Sequence, residues 1–193
     1  MKLHKAFYQE EDTVLMARAF LGKVLVSHIS GKITSGIITE TEAYAGINDR
    51  ASHAWGGRHT SRTAPMFRDG GIAYVYLIYG IYSLFNIVTA PAGIPHAVLI
   101  RAIVPVDGLD TMMKRRQMTS KRGLADGPGK LSMALGIHYH DSGTDLTGNK
   151  IWIEEGGIKP GQKDISAGPR IGVDYAGEDA HLPYRFVMKY PLG

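Results

Sequence analysis

Two carboxylates separated by one residue, Glu40 and Glu42 in ITETEAYAG at 38–46, are the first candidates for chemistry. In a strand they and Tyr44 point to the same face, because side chains alternate along an extended chain. Carboxylates ~7 Å apart on one face repel unless water or a counter-charge intervenes. Two arrangements answer that. Either the strand is an edge strand with both groups in water, or one carboxylate lies in a pocket and deprotonates a water as a general base. Arg101 stands alone in the apolar run AVLIRAIV at 97–104, where an arginine needs a charge partner. It is the candidate partner of the pocket carboxylate, or else part of a purely structural pair.

The aromatic stretch IAYVYLIYGIYSLFNIV at 72–88 is the next candidate. Tyr74 and Tyr76 share one face, while Tyr79 has the opposite parity and precedes Gly80. A turn at Ile78 to Ile81 leaves Tyr79 on a hairpin tip, where its own domain cannot readily bury it. Such a tyrosine suits a wedge that enters DNA and fills the place of an extruded base. Tyr44 and Tyr76 then form the two sides of a stacking slot for that base. The same tyrosines also fit a bland role as core residues with solvated hydroxyls. Arg50, Arg58, Arg62 and Arg68 fall in one segment and match phosphate geometry, whereas KRRQMTSKR at 114–122 reads as a solvated helix face. The net charge of +4 favours an anionic partner without requiring one.

Other chemistries find little support. The chain has no cysteine, which excludes disulfides, thiolate nucleophiles and cysteine-ligated metals. His138 and His140 are one residue apart and no HExxH spacing occurs, so no metal site is expected. GPGKL at 127–131 is too short for a phosphate-binding loop.

The elements that must position these residues follow from periodicity. Residues 11–21 predict a helix capped by Asp12 or Thr13 and stopped by Gly22. Strands are expected over 23–29 and 33–44 with a turn at 30–32, on either side of the 78–81 bend, and over 97–104, 151–154, 170–174 and 184–190. Helices are expected over 107–118 and from Pro128. Residues 45–71 read as a long irregular loop, and such loops are often functional. The 193 residues, 44% hydrophobic and 21% charged, describe one mixed α/β domain over 1–193. The N-terminal stretch lacks the apolar core of a secretory signal and no run approaches the ~20 apolar residues of a membrane span. A cytoplasmic location and no membrane partner are expected.

Taken in order, MARAFLGKVL (16–25), ITETEAYAG (38–46), ASHAWGGR (51–58), MFRDGGIAYVYLIYGIYSLFNIV (66–88), VLIRAIVP (98–105), DGPGKLSMALGI (126–137) and RIGVDYAG (170–177) resemble the alkyladenine, or 3-methyladenine, DNA glycosylase family shared by bacteria and mammals. The resemblance implies an α+β fold with a curved antiparallel sheet, akin to the formyltransferase C-terminal domain. It implies a cofactor-free, metal-free monomer that binds double-stranded DNA containing damaged purines, flips out the base and hydrolyses its bond to the sugar. The substrates implied are 3-methyladenine, 7-methylguanine, hypoxanthine and ethenoadenine. By position, Glu42 matches the general base, Arg101 an arginine holding the attacking water, and Ile171 a main-chain carbonyl that also contacts it. Tyr44, His53 and Tyr76 match the walls of the base pocket, and Asn86 an asparagine that crowds out normal guanine. Tyr79 matches the intercalating residue, with Ile81 beside it, and Arg58, Arg62 and Lys130 are the expected backbone contacts. Glu40 is expected to be a bystander. The loop TAPAGIPHA at 89–97 is longer than in the mammalian relatives, which bears on the pocket rim. A competing class, a non-catalytic binder of distorted or abasic DNA, would use the same tyrosines and arginines but gives Glu42 no task.

Overall fold

A computed structural model of the chain describes residues 1–156 and 158–190. Its frame is an antiparallel sheet of eight strands: β1 (Val24–Ile29), β2 (Lys32–Tyr44), β3 (Ala73–Ile78), β4 (Tyr82–Thr89), β5 (His96–Asp107), β6 (Ile151–Glu154), β7 (Ile165–Gly168) and β8 (Arg185–Met188). The order is β3-β4-β5-β2-β1-β6, with β8 joining β2 and β7 joining β8. The sheet is strongly curved, and the ladder between β2 and β5 slips register at Ser35/Gly36, Ile38/Glu40 and Glu40/Thr41. Such irregularities bend a strand and raise its local twist.

The strand carrying both glutamates is not an edge. β2 pairs with β5 along one side; along the other its first part pairs with β1 and its Glu40–Glu42 part with β8. The edge-strand reading is therefore corrected: both carboxylates leave the middle of the sheet, Glu42 fully buried and Glu40 partly so.

Strand alternation divides the molecule. Val75, Phe85, Ile87, Val98 and Ile100 face the main core with Phe20, Leu25, Ile38, Met112 and Leu131. Their neighbours Tyr74, Tyr76, Val88 and Ala97 face away, into a smaller apolar cluster with Ala54 and Met66. The helices cover the core face. α1 (Thr13–Ala19) is capped by Asp12, whose side chain accepts from the N–H groups of Val14 and Leu15, both at 2.9 Å. Thr41 donates its hydroxyl to the carbonyl of Ala17 at 2.7 Å, tying the buried side of β2 to that helix. α2 (Leu109–Arg116) and α3 (Pro128–Leu135) complete the layer, and proline opens α3 as anticipated. α2 starts later than the expected 107 because β5 runs through Asp107.

One expected strand is absent. Residues 170–174 form no strand; Gly172 has φ +74°, and the chain passes into a 3₁₀ segment at Asp174–His181. The Ile171/Val173 alternation looked like a strand, but a left-handed glycine between them cannot continue one. Instead β7, unanticipated, pairs with β8. The long 45–71 segment is irregular apart from short 3₁₀ turns at Gly46–Asn48, Trp55–Gly57 and Ala64–Phe67. Among the described residues no helix is long and apolar enough to cross a membrane.

Candidate active site

A cavity of about 690 Å³ opens on the face of the sheet opposite the core, within the ~300–1,000 Å³ range of small-molecule sites. Tyr44, His53, Tyr76, Asn86, Arg101 and Ile171 all line it, so residues from five separate stretches converge on one cavity. Residues 90–95 do not. That loop packs elsewhere: Ala90 exchanges backbone hydrogen bonds with Tyr8 and Gly70, and Ala92 donates to Asp69.

Glu42 lies directly behind the lining and is fully buried. Its Oε1 accepts the N–H of Ile171 at 2.8 Å and faces Nη1 of Arg101 at 3.4 Å. Its Oε2 accepts the hydroxyl of Tyr44 at 2.8 Å. Burial raises the pKa of this carboxyl, and Arg101, the Ile171 N–H and the Tyr44 hydroxyl oppose that rise without cancelling it. The result is a carboxylate fixed in position yet more basic than usual, which suits a proton acceptor. Ile171, whose carbonyl is the expected contact of the attacking water, meets Glu42 itself through its amide N–H.

Glu40 is partly buried and paired. Its Oε1 accepts Nε of Arg101 and Nη1 of Arg185, each at 3.0 Å. The two carboxylates and two guanidiniums thus form one charge-balanced cluster, and Arg101 is held more tightly by the presumed bystander than by Glu42.

The tyrosine walls are braced from behind. The guanidinium of Arg170 lies 4.9 Å from the centre of the Tyr44 ring. Arg170 is itself buried, pairing with both carboxylate oxygens of Asp49 (2.9 Å for Nη2–Oδ1) and donating to the carbonyl of Ala43 at 2.9 Å. Sequence reading missed this pair. The only local signal was a lone arginine in PRIGVD, and its partner stands more than a hundred residues away. His53 meets the hydroxyl of Tyr74 through Nδ1 at 2.8 Å and sets its ring edge against Tyr76, 4.6 Å between centres. Burial, helped by Arg62 and Arg58, pushes its pKa down to about 4, so the imidazole is neutral at pH 7. Arg62 approaches Nε2 at 3.4 Å. Because a guanidinium only donates, this contact leaves the ring proton on Nδ1, donated to Tyr74.

Arg62 is inside the cavity wall, its guanidinium 5.1 Å from the centre of the Tyr76 ring. Arg58 is exposed on the loop, and Lys130 lies at the rim in an exposed pair with Asp126 at 2.8 Å. Asn86 is buried on β4 and donates both amide hydrogens to strand carbonyls, of Tyr74 at 3.1 Å and Leu84 at 3.2 Å, which fixes its amide plane on the wall.

Beside the mouth, β3 and β4 meet in a tight turn at Tyr79-Gly80, both with left-handed φ (+53° and +68°), closed by the Ile81 N–H on the Ile78 carbonyl at 3.1 Å. A tyrosine in that conformation costs ~1–2 kcal/mol. The turn leaves Tyr79 84% and Ile81 67% exposed, both apolar and both at the lip of the cavity or beside it. Among the described residues no group of three or more His, Asp or Glu is placed to hold a metal ion.

The sequence model of the methylpurine-DNA glycosylase family matches residues 6–191. The chain belongs to that family. Curated relatives agree: a Chlamydia abortus protein is 46% identical over 188 residues, covering 96% of this chain and 97% of its own. A Bacillus cytotoxicus protein is 46% identical over 198 residues, covering 98% and 97%. Both carry the name "Putative 3-methyladenine DNA glycosylase". Family membership makes the chain a DNA glycosylase, a hydrolase of N-glycosyl bonds, as the motifs implied.

Proposed function

We propose that this glycosylase flips alkylated or deaminated purines, 3-methyladenine, 7-methylguanine, hypoxanthine and ethenoadenine, out of duplex DNA and hydrolyses their N-glycosidic bond with a water activated by Glu42. The observation that carries the reading is the fully buried Glu42, held by the Ile171 N–H, the Tyr44 hydroxyl and Arg101 directly behind an aromatic cavity.

Tyr79 and Ile81 enter the duplex at the lesion and fill the space that the base leaves, while Arg58 and Lys130 hold phosphates. The base occupies the cavity against Tyr44 and Tyr76. Alkylation at N3 or N7 leaves the purine cationic, so stacking gains a cation–π contribution of ~1–2 kcal/mol. The same charge makes the base a good leaving group. As the glycosidic bond of an alkylated purine breaks, its electron pair goes to the cationic base, which departs neutral; hypoxanthine and ethenoadenine, being neutral, must also take up a proton as they leave. Water forms the new bond to C1′ and loses a proton to Glu42, leaving an abasic sugar. Arg101 and the Ile171 carbonyl orient that water, and the Glu42 charge stabilises the positive charge developing on the sugar. For the alkylated bases a single carboxylate suffices where ordinary glycosidases usually employ two, since that leaving group arrives already activated. His53, neutral, offers its Nε2 as an acceptor to the base edge once Arg62 moves aside, and Asn86 crowds the position of a guanine amino group.

The test is base release from duplexes that each carry one of the four lesions, with wild type and Glu42→Gln in parallel. The reading expects wild-type release and at least ~100-fold slower release by Glu42→Gln, with binding to abasic-analogue DNA retained. Normal turnover by the variant overturns the assignment of the base. Binding without release by the wild type converts the protein into a lesion binder.

A further inference from the structure

The geometry points to Glu40 as a positioning residue that holds Arg101 off Glu42, so that the buried carboxylate stays free to take a proton. The inference rests on the reading of Glu42 as the base.

Arg101 has two carboxylates within reach and divides itself unequally. Its Nε makes a 3.0 Å hydrogen bond to Glu40, whereas Nη1 stands 3.4 Å from Glu42. An arginine fork facing one lone carboxylate closes on it with two parallel hydrogen bonds. Closed on Glu42, it would occupy the oxygen that must receive the proton of the water. Glu40 prevents that by taking the Nε edge. The backbone is shaped for it: the ladder slips register on both sides of Glu40, at Ile38/Glu40 and Glu40/Thr41, and such irregularities re-aim side chains beside active sites. Glu40 reaches the site by a second route. Arg185, bound to Glu40 at 3.0 Å, donates Nε to the carbonyl of Pro169 at 3.1 Å, two residues before the Ile171 N–H that holds Glu42.

The charges around Glu42 make the effect measurable. Arg101 faces it from β5, Tyr44 from its own strand, Tyr76 from β3, and Arg170 and Tyr175 from the segment after β7, with Glu40 and Arg185 one layer out. The charge of Arg170 is taken by Asp49. Arg101 is therefore the cation nearest Glu42, and Glu40 is what offsets it; the Glu40 charge acts to raise the pKa of Glu42.

The experiment is the pH dependence of single-turnover release of 7-methylguanine from duplex DNA, a leaving base whose charge is permanent. The acidic limb reports protonation of the base. In Glu40→Gln the limb moves to lower pH by about one unit and the plateau rate falls roughly tenfold. In Arg185→Gln, which frees Glu40 to hold Arg101 alone, the limb moves the other way. A structural disturbance would not give shifts of opposite sign. An unmoved limb in Glu40→Gln, with or without a lower rate, overturns the inference. Should that variant not fold, an unmoved or downward-shifted limb in Arg185→Gln overturns it. Glu42→Gln run alongside keeps the two questions apart: an inactive Glu42→Gln with an unaltered Glu40→Gln removes only the positioning role, whereas an active Glu42→Gln removes the base itself.

Discussion

The two ends of the site are built on opposite terms. At the β2/β5 end, four charged side chains sit in the middle of a sheet, and Glu42 is buried and fixed by hydrogen bonds from Ile171 and Tyr44 with Arg101 beside it. At the β3–β4 tip, a tyrosine in a left-handed conformation and an isoleucine stand in solvent and contact little of their own protein. The first arrangement is costly to assemble and serves something that must not move. The second leaves apolar surface without a partner, which only another molecule can cover. If reaction belongs to the first end and grip to the second, as proposed, each can be broken without the other.

The largest expected effect is at the buried end. Glu42→Gln removes base release while leaving abasic-DNA binding, and loss of both together would show that the two ends are not separable. Next is the tip. Tyr79→Ser should weaken binding to lesion and abasic DNA by about tenfold or more, the loss of one stacked ring, with an unchanged melting temperature. Equal affinity in a binding titration would deny the wedge. A smaller effect concerns stability. Because the pKa of Glu42 is raised in the folded protein, its ionised form is disfavoured there, and stability declines as pH rises through that folded value. Glu42→Gln should therefore melt higher than wild type at pH 7.5, at ~2–4 °C for each kcal/mol relieved. That gain should vanish near pH 4, where Glu42 takes up its own proton. A lower melting temperature at pH 7.5 would mean that the charged cluster stabilises rather than strains the fold. The smallest expected effect is none: EDTA should leave base release unchanged, and strong inhibition would place a metal in the reaction.

Much of this division was legible in the chain. Alternation in IAYVYLIYGIYSLFNIV placed β3, β4 and the exposed tip, since a tight turn with glycine in it leaves few alternatives. A lone arginine in AVLIRAIV advertised a charge partner. What the pattern could not give was sheet order. Period-two alternation says which face a residue takes but not which strand lies alongside, so the position of Glu40 between β5 and β8 was invisible and the residue read as dispensable. The Arg170–Asp49 pair was hidden for the same reason, its members meeting only through the tertiary fold. The false strand at 170–174 is a local failure: Ile171 and Val173 alternate properly, but Gly172 adopts a left-handed φ and the segment is held by Glu42 rather than by a ladder.

The guanidinium of Arg62 resting over Tyr76 gives the cavity a competitor of its own. A base that takes that face of the ring must evict a cation tethered to the same molecule, whose effective concentration is in the millimolar range for a short flexible link. That face of Tyr76 thus carries a cation of its own, and the standard it sets is that of a positively charged guest. On the proposed reading, a neutral purine, damaged or not, has to displace this cation before it can stack, while a methylated one arrives with the charge that the ring already prefers. On that reading, discrimination begins before any atom of the lesion is read.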